Sequence, residues 1–383
     1  TPGYGDMNAV KPASPDLTHL KYETITSNNI GVDFGLFSDK VNFTFELYKK
    51  VTDDLLQKKM KVPSSTGLST VAWYNSGKIQ NKGWEFNIDI AAVKTKDWSF
   101  NFGFNISQNK NEILELPENK NDELYTFGNK NYAYSVMMGD PLGSFYGYRY
   151  KGVYQNVEET YAVNTSGQRI LDIDGNPVVM KNGDQKVYPG DARYEDVNGD
   201  GVIDENDIVY LGNSNPTLTG GLNFTLRYKK VSLVAAFHGR AGQKVINQAR
   251  MDMENMRGKN NQSVAVLRRW RSEGDDTDIP RALYDKGYNY LGSDRFVEDA
   301  SFLRLKTVTL KYQMPAKWMK AIGVNKLELY ATGYDMFVWT KYKGQDPEVN
   351  LKAANDGTVA QVAIDSNNTP KPFKIAFGLN LNF

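Results

Sequence analysis

Twelve residues read D-V-N-G-D-G-V-I-D-E-N-D, from Asp196 to Asp207. Their oxygen atoms recur at the spacing of an EF-hand loop. Asp196, Asn198 and Asp200 take ligand positions 1, 3 and 5, and Gly201 takes position 6, where a sharp turn excludes a Cβ. Val202 offers its carbonyl at position 7, and Asp204 stands at position 9, where a water often intervenes. Position 12 holds Asp207 in place of the usual Glu, so the last ligand has a shorter reach. An all-oxygen set suits a hard cation, Ca²⁺ ahead of Mg²⁺. The plain alternative is a turn rich in Asp and Asn that binds nothing. No helical pattern flanks the loop, because Ile208-Val-Tyr-Leu211 is extended, so an ion here would brace a connection and not sense or catalyse.

Other chemistry is sparse. The chain has no Cys, which removes disulfides, zinc–thiolate sites and Cys nucleophiles, and only two His, His19 and His238. His238 falls on the polar parity of its segment, as a hydrogen-bonding residue would. Gly239-Arg-Ala-Gly242 and Leu218-Thr-Gly-Gly-Leu222 are glycine-rich but lie on strand patterns, not before helices, so neither is a phosphate loop. No acidic pair has distinctive catalytic spacing. An enzyme is therefore not expected, nor an organic cofactor. Lys and Arg total 46 against 45 Asp and Glu, which argues against a nucleic-acid partner. Trp73, Tyr74, Tyr125, Tyr132 and Tyr134 lie in long connections, where their rings would stack on sugars or simply pack within the loops.

The elements that hold these residues alternate with period two. Trp98, Phe100, Phe102, Phe104 and Ile106 oppose Ser99, Asn101, Gly103 and Asn105. The same pattern recurs at 32–36, 41–48, 84–91, 222–228, 231–238, 303–312, 327–332 and 373–383, making nine strands. Leu303 and Leu305 fall on the opposite parity to Val308 and Leu310. The separators 38–40, 94–97, 229–230 and 314–323 are short, whereas 57–78, 116–213, 244–300 and 343–370 are long. Short turns at one end and long loops at the other is the layout of an outer-membrane β-barrel, with one face of each strand apolar for lipid and the other polar for a watery lumen. A soluble antiparallel sandwich also alternates, but a connection of about 100 residues is unusual in one. No apolar run approaches the ~18 residues of a transmembrane helix.

The strand count is odd, whereas single-chain bacterial barrels have even numbers. The expectation is an all-β fold in which residues 1–383 form the C-terminal part of a larger barrel. In that part, 116–213 is one external excursion unless 145–154 adds a further strand pair. Segments 247–256 and 263–270 fit short helices. The opening Thr1-Pro-Gly-Tyr-Gly5 is turn-like and carries no signal-peptide pattern, as in an internal piece of a longer chain.

Several stretches together are similar to one family. Asn75-Ser-Gly-Lys-Ile-Gln-Asn-Lys-Gly-Trp-Glu-Phe86, Gly143-Ser-Phe-Tyr-Gly-Tyr148, Pro189-Gly-Asp-Ala-Arg-Tyr194, Leu211-Gly-Asn-Ser-Asn-Pro216, Asp278-Ile-Pro-Arg-Ala282, Ser301-Phe-Leu-Arg-Leu-Lys306 and Thr340-Lys-Tyr-Lys-Gly-Gln-Asp-Pro-Glu348 follow in order. They resemble the C-terminal half of SusC/RagA-type TonB-dependent outer-membrane transporters of Bacteroidota. The resemblance implies a barrel of about 22 strands, the size of plugged-lumen transporters. It implies a SusD-like surface lipoprotein as partner, energy from TonB–ExbB–ExbD, and import of a nutrient such as an oligosaccharide. Peptide or metal-chelate cargo is the alternative within the family, and a Ca²⁺-braced carbohydrate-binding or adhesive surface protein the alternative outside it. The chain would be integral to the outer membrane, with long loops outside and the C-terminus in the periplasm. The final F-K-I-A-F-G-L-N-L-N-F is then a closing strand, and Phe383 resembles the C-terminal aromatic read by the outer-membrane assembly machinery.

Overall fold

The computed structural model describes residues 20–61, 70–116, 125–126, 132–134, 137–284, 287–321, 323–353, 361–367 and 369–382. The nine alternating segments form one nine-stranded sheet in chain order. They are β1 (Thr24–Leu36), β2 (Val41–Asp53), β3 (Lys78–Lys94), β4 (Trp98–Glu115), β5 (Leu218–Tyr228), β6 (Val231–Ala241), β7 (Phe302–Gln313), β8 (Lys326–Thr340) and β9 (Lys374–Asn382). Every neighbouring pair is antiparallel. Segment 144–154 adds no strands to this sheet. It forms Ser144–Gly147 and Tyr150–Val153 in smaller sheets, and β4 pairs directly with β5.

The register carries the alternation across the whole sheet. One row runs Phe34, Phe43, Ile88, Phe104, Leu222, Phe237, Leu305, Phe337. The row on the other face one position away runs Gly35, Asn42, Asp89, Gly103, Asn223, Ala236, Thr307, Tyr334, Lys374. A one-residue slip anywhere would exchange the two faces. On the apolar side Phe377 is 82% exposed and Phe337 58%. A contiguous exposed apolar face of this kind needs a non-aqueous neighbour. In β9 the odd-numbered side chains Ile375, Phe377, Leu379 and Leu381 all stand exposed.

The parity conflict in β7 has a local cause. Ala236 pairs with Thr307 and Phe237 with Leu305, so Lys306 is an extra residue, a β-bulge. It returns Leu303 and Leu305 to the face of Val308 and Leu310. Opposite it, β8 loops out Asp335 and Met336, with Asp335 at φ 50°, and Asp335 accepts a 2.9 Å hydrogen bond from the Lys306 ammonium.

The turns Phe37–Lys40 and Thr95–Asp97 and the β5–β6 turn at Lys229 are tight, with Ser38, Asp39 and Lys229 at positive φ. A short helix, Ala316–Ala321, fills the β7–β8 connection. At the other end the long connections fold together. The expected short helices are present as Gln248–Glu254 and a 3₁₀ turn Val264–Arg268. One core gathers Tyr148, Tyr154, Ala162, Met180, Val187, Tyr194, Ile203 and Leu291, and a second gathers Tyr132, Phe145, Ile246, Met251, Phe296 and Val362. The connection after β4 is therefore a packed module with its own small sheets.

The bulge yields a test. Deleting Lys306 leaves Leu303, Leu305, Val308 and Leu310 in plain alternation and should still permit assembly, whereas deleting Thr309 should turn Leu310 and Tyr312 to the polar face and abolish it. Heat-modifiable gel mobility of the full-length protein distinguishes the two.

Candidate functional site: the packed module and its cavity

The loop 196–207 turns on two glycines in the left-handed region. Gly199 and Gly201 lie at φ +71° and +84°, and a Cβ on Gly201 would come 2.9 Å from that of Ala162. The Asp196 carboxylate accepts hydrogen bonds from the Gly199 and Gly201 amides, both 2.8 Å. Asp200 accepts from the Val202 amide at 2.8 Å and from the Asn198 side chain at 2.8 Å. Val202–Ile203 pairs in parallel with Lys181–Asn182. Asp204 caps the 3₁₀ turn Glu205–Asp207, accepting from the Asn206 amide at 2.8 Å. Asp207 is fully buried and ties the loop's ends together, accepting from the Val197 amide at 2.7 Å and the Asp204 amide at 2.9 Å. Burial pushes the Asp207 carboxyl above its ordinary value; those two amides pull it down, and Asp196 and Asp204 push it up again. Among the described residues no Lys or Arg pairs with these carboxylates, and no three His or acidic side chains converge as an ion cage.

The aromatic candidates separate. Tyr132 is enclosed in the module core and donates a 2.6 Å hydrogen bond to the Ser293 carbonyl, so it packs the fold. Trp73 and Tyr74 lie on Thr70–Asn75, which pairs with Leu56–Lys61 beyond β2 and β3, and both are half-buried. Tyr125 and Tyr134 face each other in a two-residue ladder; their side chains, like Phe383, lie outside the described residues.

Charged residues that composition did not single out hold the module together, and they sit in the recurring segments quoted above. Asp191, from Pro189-Gly-Asp, accepts from the Arg281 Nε at 2.7 Å and a second guanidinium nitrogen at 3.2 Å. Arg281 comes from Asp278-Ile-Pro-Arg. The Tyr188 amide and the Asn289 side chain complete the Asp191 shell at 2.9 and 3.3 Å. Gly190 lies against Trp270, with no room for a Cβ. Arg304, on the polar face of β7 and only 3% exposed, pairs with Asp346 at 2.6 Å and Glu348 at 3.3 Å. Segments distant in sequence are thus partners in space.

A cavity of about 470 Å³ opens between the helix Gln248–Glu254, the turn Ser263–Arg268 and the segment Lys343–Gln345. Its wall contains a salt-bridge chain. Arg250 reaches Glu298 at 2.6 Å and Glu254 at 3.0 Å, and Arg295 reaches the other Glu254 oxygen at 3.0 Å.

An antiparallel meander with one lipid-compatible face, tight turns at one end and packed connections at the other is a section of an outer-membrane β-barrel. The chain belongs to the family described as TonB dependent receptor-like, beta-barrel, whose model matches residues 1–198. TonB-dependent receptor P26 of Formosa agariphila is 32% identical over 379 residues, covering 97% of this chain and 36% of the relative. TonB-dependent receptor SusC of Bacteroides thetaiotaomicron is 28% identical over 376 residues, covering 95% of this chain and 32% of its own length. The chain thus spans about a third of these curated relatives. Its fold matches a solved structure of the RagAB peptide transporter with TM-score 0.73 and 23% identity, over 100% of this chain and 38% of that one. Membership of this barrel family sets the soluble sandwich aside as the fold.

Arg281→Met should cost the module about 2–3 kcal/mol. This is less than the ~3–5 kcal/mol of a fully buried pair, because Arg281 keeps some solvent contact. Limited proteolysis between residues 137 and 213 should accelerate accordingly, and Gly190→Ala should act in the same direction.

Proposed function

We propose that this chain is the C-terminal portion of the barrel of a SusC/RagA-type importer that moves an oligosaccharide intact across the outer membrane. The long connections face outside and the tight turns and C-terminus face the periplasm, following the layout of such barrels. A SusD-like lipoprotein covers the external end, and TonB–ExbB–ExbD supplies energy through the rest of the protein. The supporting observation for the cargo is the polar face. Asn42, Asn87, Asn101, Asn105 and Asn223 share it, and Asn81, Asn109 and Asn111 form a hydrogen-bonded amide cluster at 3.0–3.2 Å that the Tyr48 hydroxyl joins at 3.0 Å. Amides donate and accept at once, as neutral hydroxyl-rich ligands require. A metal chelate or peptide would call for more uncompensated charge.

The loop 196–207 is the second part of the reading: it takes one Ca²⁺, or Mg²⁺, which braces the packed module. Gly201 supplies the turn, no cationic side chain among the described residues pairs with the four carboxylates, and each Asp207 oxygen keeps a lone pair beyond its amide bond.

Titration of the full-length transporter–lipoprotein complex against oligosaccharide and peptide panels tests the cargo. Binding only by peptides contradicts the reading. With a bound oligosaccharide, the double change Asn105→Leu/Asn223→Leu should weaken affinity about tenfold, at roughly 0.5–1.5 kcal/mol per lost hydrogen bond. For the loop, EDTA should speed cleavage between 137 and 213 and Ca²⁺ should restore resistance, while Asp207→Asn should remove the difference. Cleavage indifferent to EDTA and Ca²⁺ would sink the ion.

A further inference from the structure

A row of lysines borders the lipid-compatible face of the sheet. On β2, β3 and β4 the apolar parity runs toward the long connections through Phe45, Phe86 and Ile106, then Leu47, Trp84 and Gln108. The Trp84 indole donates to the Gln108 side chain. The next positions on that face are Lys49, Lys82 and Lys110, directly opposite one another across the three strands, and all three are exposed. Like charges directly opposite in a sheet are destabilising, and here two such pairs adjoin. One carboxylate bridges them: a single Glu112 oxygen lies 3.9 Å from the Lys82 ammonium and 3.5 Å from that of Lys110. The two ammoniums therefore gather around one point. Asp53 and Glu115, further out on the same face, hold Lys78 at 2.9 and 2.8 Å. Glu46 and Glu85 fall on the polar parity. Lys49 makes no ion pair among the described residues, and its neighbour in the row on β1 is the neutral Asn28. Three positive charges thus share one row with a single carboxylate beside it.

We propose that this row binds the phosphate headgroup of an anionic lipid in the surrounding bilayer. Trp84 marks the edge of the hydrocarbon, where barrels carry their aromatic girdles. Two residues further is about 7 Å along a strand. At the tilt of barrel strands this is about 5 Å along the bilayer normal. One headgroup layer is about 5–8 Å deep, so the lysines stand at its level. Neighbouring strands lie about 4.8 Å apart, so the row spans about 10 Å. The lysine stems lie along apolar surface while their ammoniums reach the polar layer, and a phosphate offers oxygens to several of them at once. A lipid held there lays its acyl chains over Phe45, Leu47 and Phe86, so one molecule meets both the charged row and the apolar face beneath it. The anion also relieves the repulsion along the row. Only the choice of leaflet, the outer one, rests on the orientation proposed above; the binding itself does not.

The test is native mass spectrometry of the full-length protein, titrated in detergent with phosphatidic acid and separately with phosphatidylcholine of the same acyl chains. Phosphatidic acid should bind the more tightly. The triple change Lys49→Gln/Lys82→Gln/Lys110→Gln should weaken its tightest binding step about a hundredfold, at about fivefold per lysine. The matched change Lys94→Gln/Lys96→Gln/Lys230→Gln removes the same charge at the tight turns and should leave that step nearly unchanged. All six side chains are exposed, and heat-modifiable gel mobility checks that both variants assemble. Equal binding of the two lipids overturns the proposal, as does a loss below about tenfold in the first variant. An equal loss in the second variant overturns it too, because it marks attraction to net charge only. No cargo enters the measurement, so its failure leaves the transport reading to the oligosaccharide titrations.

Discussion

The structure depends on one constraint: every backbone N–H and C=O of a segment that crosses a bilayer must find a partner within the protein. A meander of antiparallel strands meets it only where neighbours pair along their whole length in unbroken register. That register is also what turns local alternation into two continuous surfaces. From Phe34 to Phe337 one row is apolar across eight strands, and from Gly35 to Lys374 the adjacent row is dominated by glycine, amide, hydroxyl and charged groups. The energetic penalty for a slipped strand therefore falls on both surfaces at once, since lipid-facing positions would acquire Asn, Asp and Lys. Lys306 shows the same constraint from the other side: an extra residue, tied to Asp335, is the device by which β7 keeps both halves of its apolar set facing outward.

Beyond the sheet, water is available and the organising forces change. The packed module is held by apolar cores and by charges that are buried in pairs. Asp191 with Arg281, Glu298 with Arg250, Glu254 with Arg295, and Arg304 with Asp346 and Glu348 each join chain segments far apart in sequence. Isolated, any of these charges would be costly; paired, they specify which loop lies against which. Arg304 connects the two regimes, because it stands on the sheet and holds the segment that walls the cavity.

The sheet was largely legible in the sequence because strand alternation is a local signal and the separators alternate in length. Nine strands and their order follow from it, and even the Leu303/Val308 parity conflict was visible, although reading it as a bulge required the pairing with β6. The module was less legible. Its contacts are long-range, so a buried Tyr132 and an exposed loop tyrosine look alike in sequence, and the segment 145–154 resembles a strand pair without joining the large sheet. The acidic loop lies between these cases: spacing alone identified the turn and Gly201, but not that Asp207 is enclosed and bonded to the amides at both ends of the loop. The ion pairs were present only as anonymous members of recognisable segments, because nothing local says that Asp191 will meet Arg281.

The central claim is that alternate residues of this sheet face lipid and lumen. The described chain contains no Cys, so single cysteines at Phe104 and Asn105, placed in the full-length protein freed of any others, can carry nitroxide labels. In reconstituted vesicles the label at 104 should be relaxed preferentially by oxygen, which partitions into lipid, and the label at 105 by a water-soluble nickel chelate. The same preference at both positions, or the reverse assignment, would contradict the account.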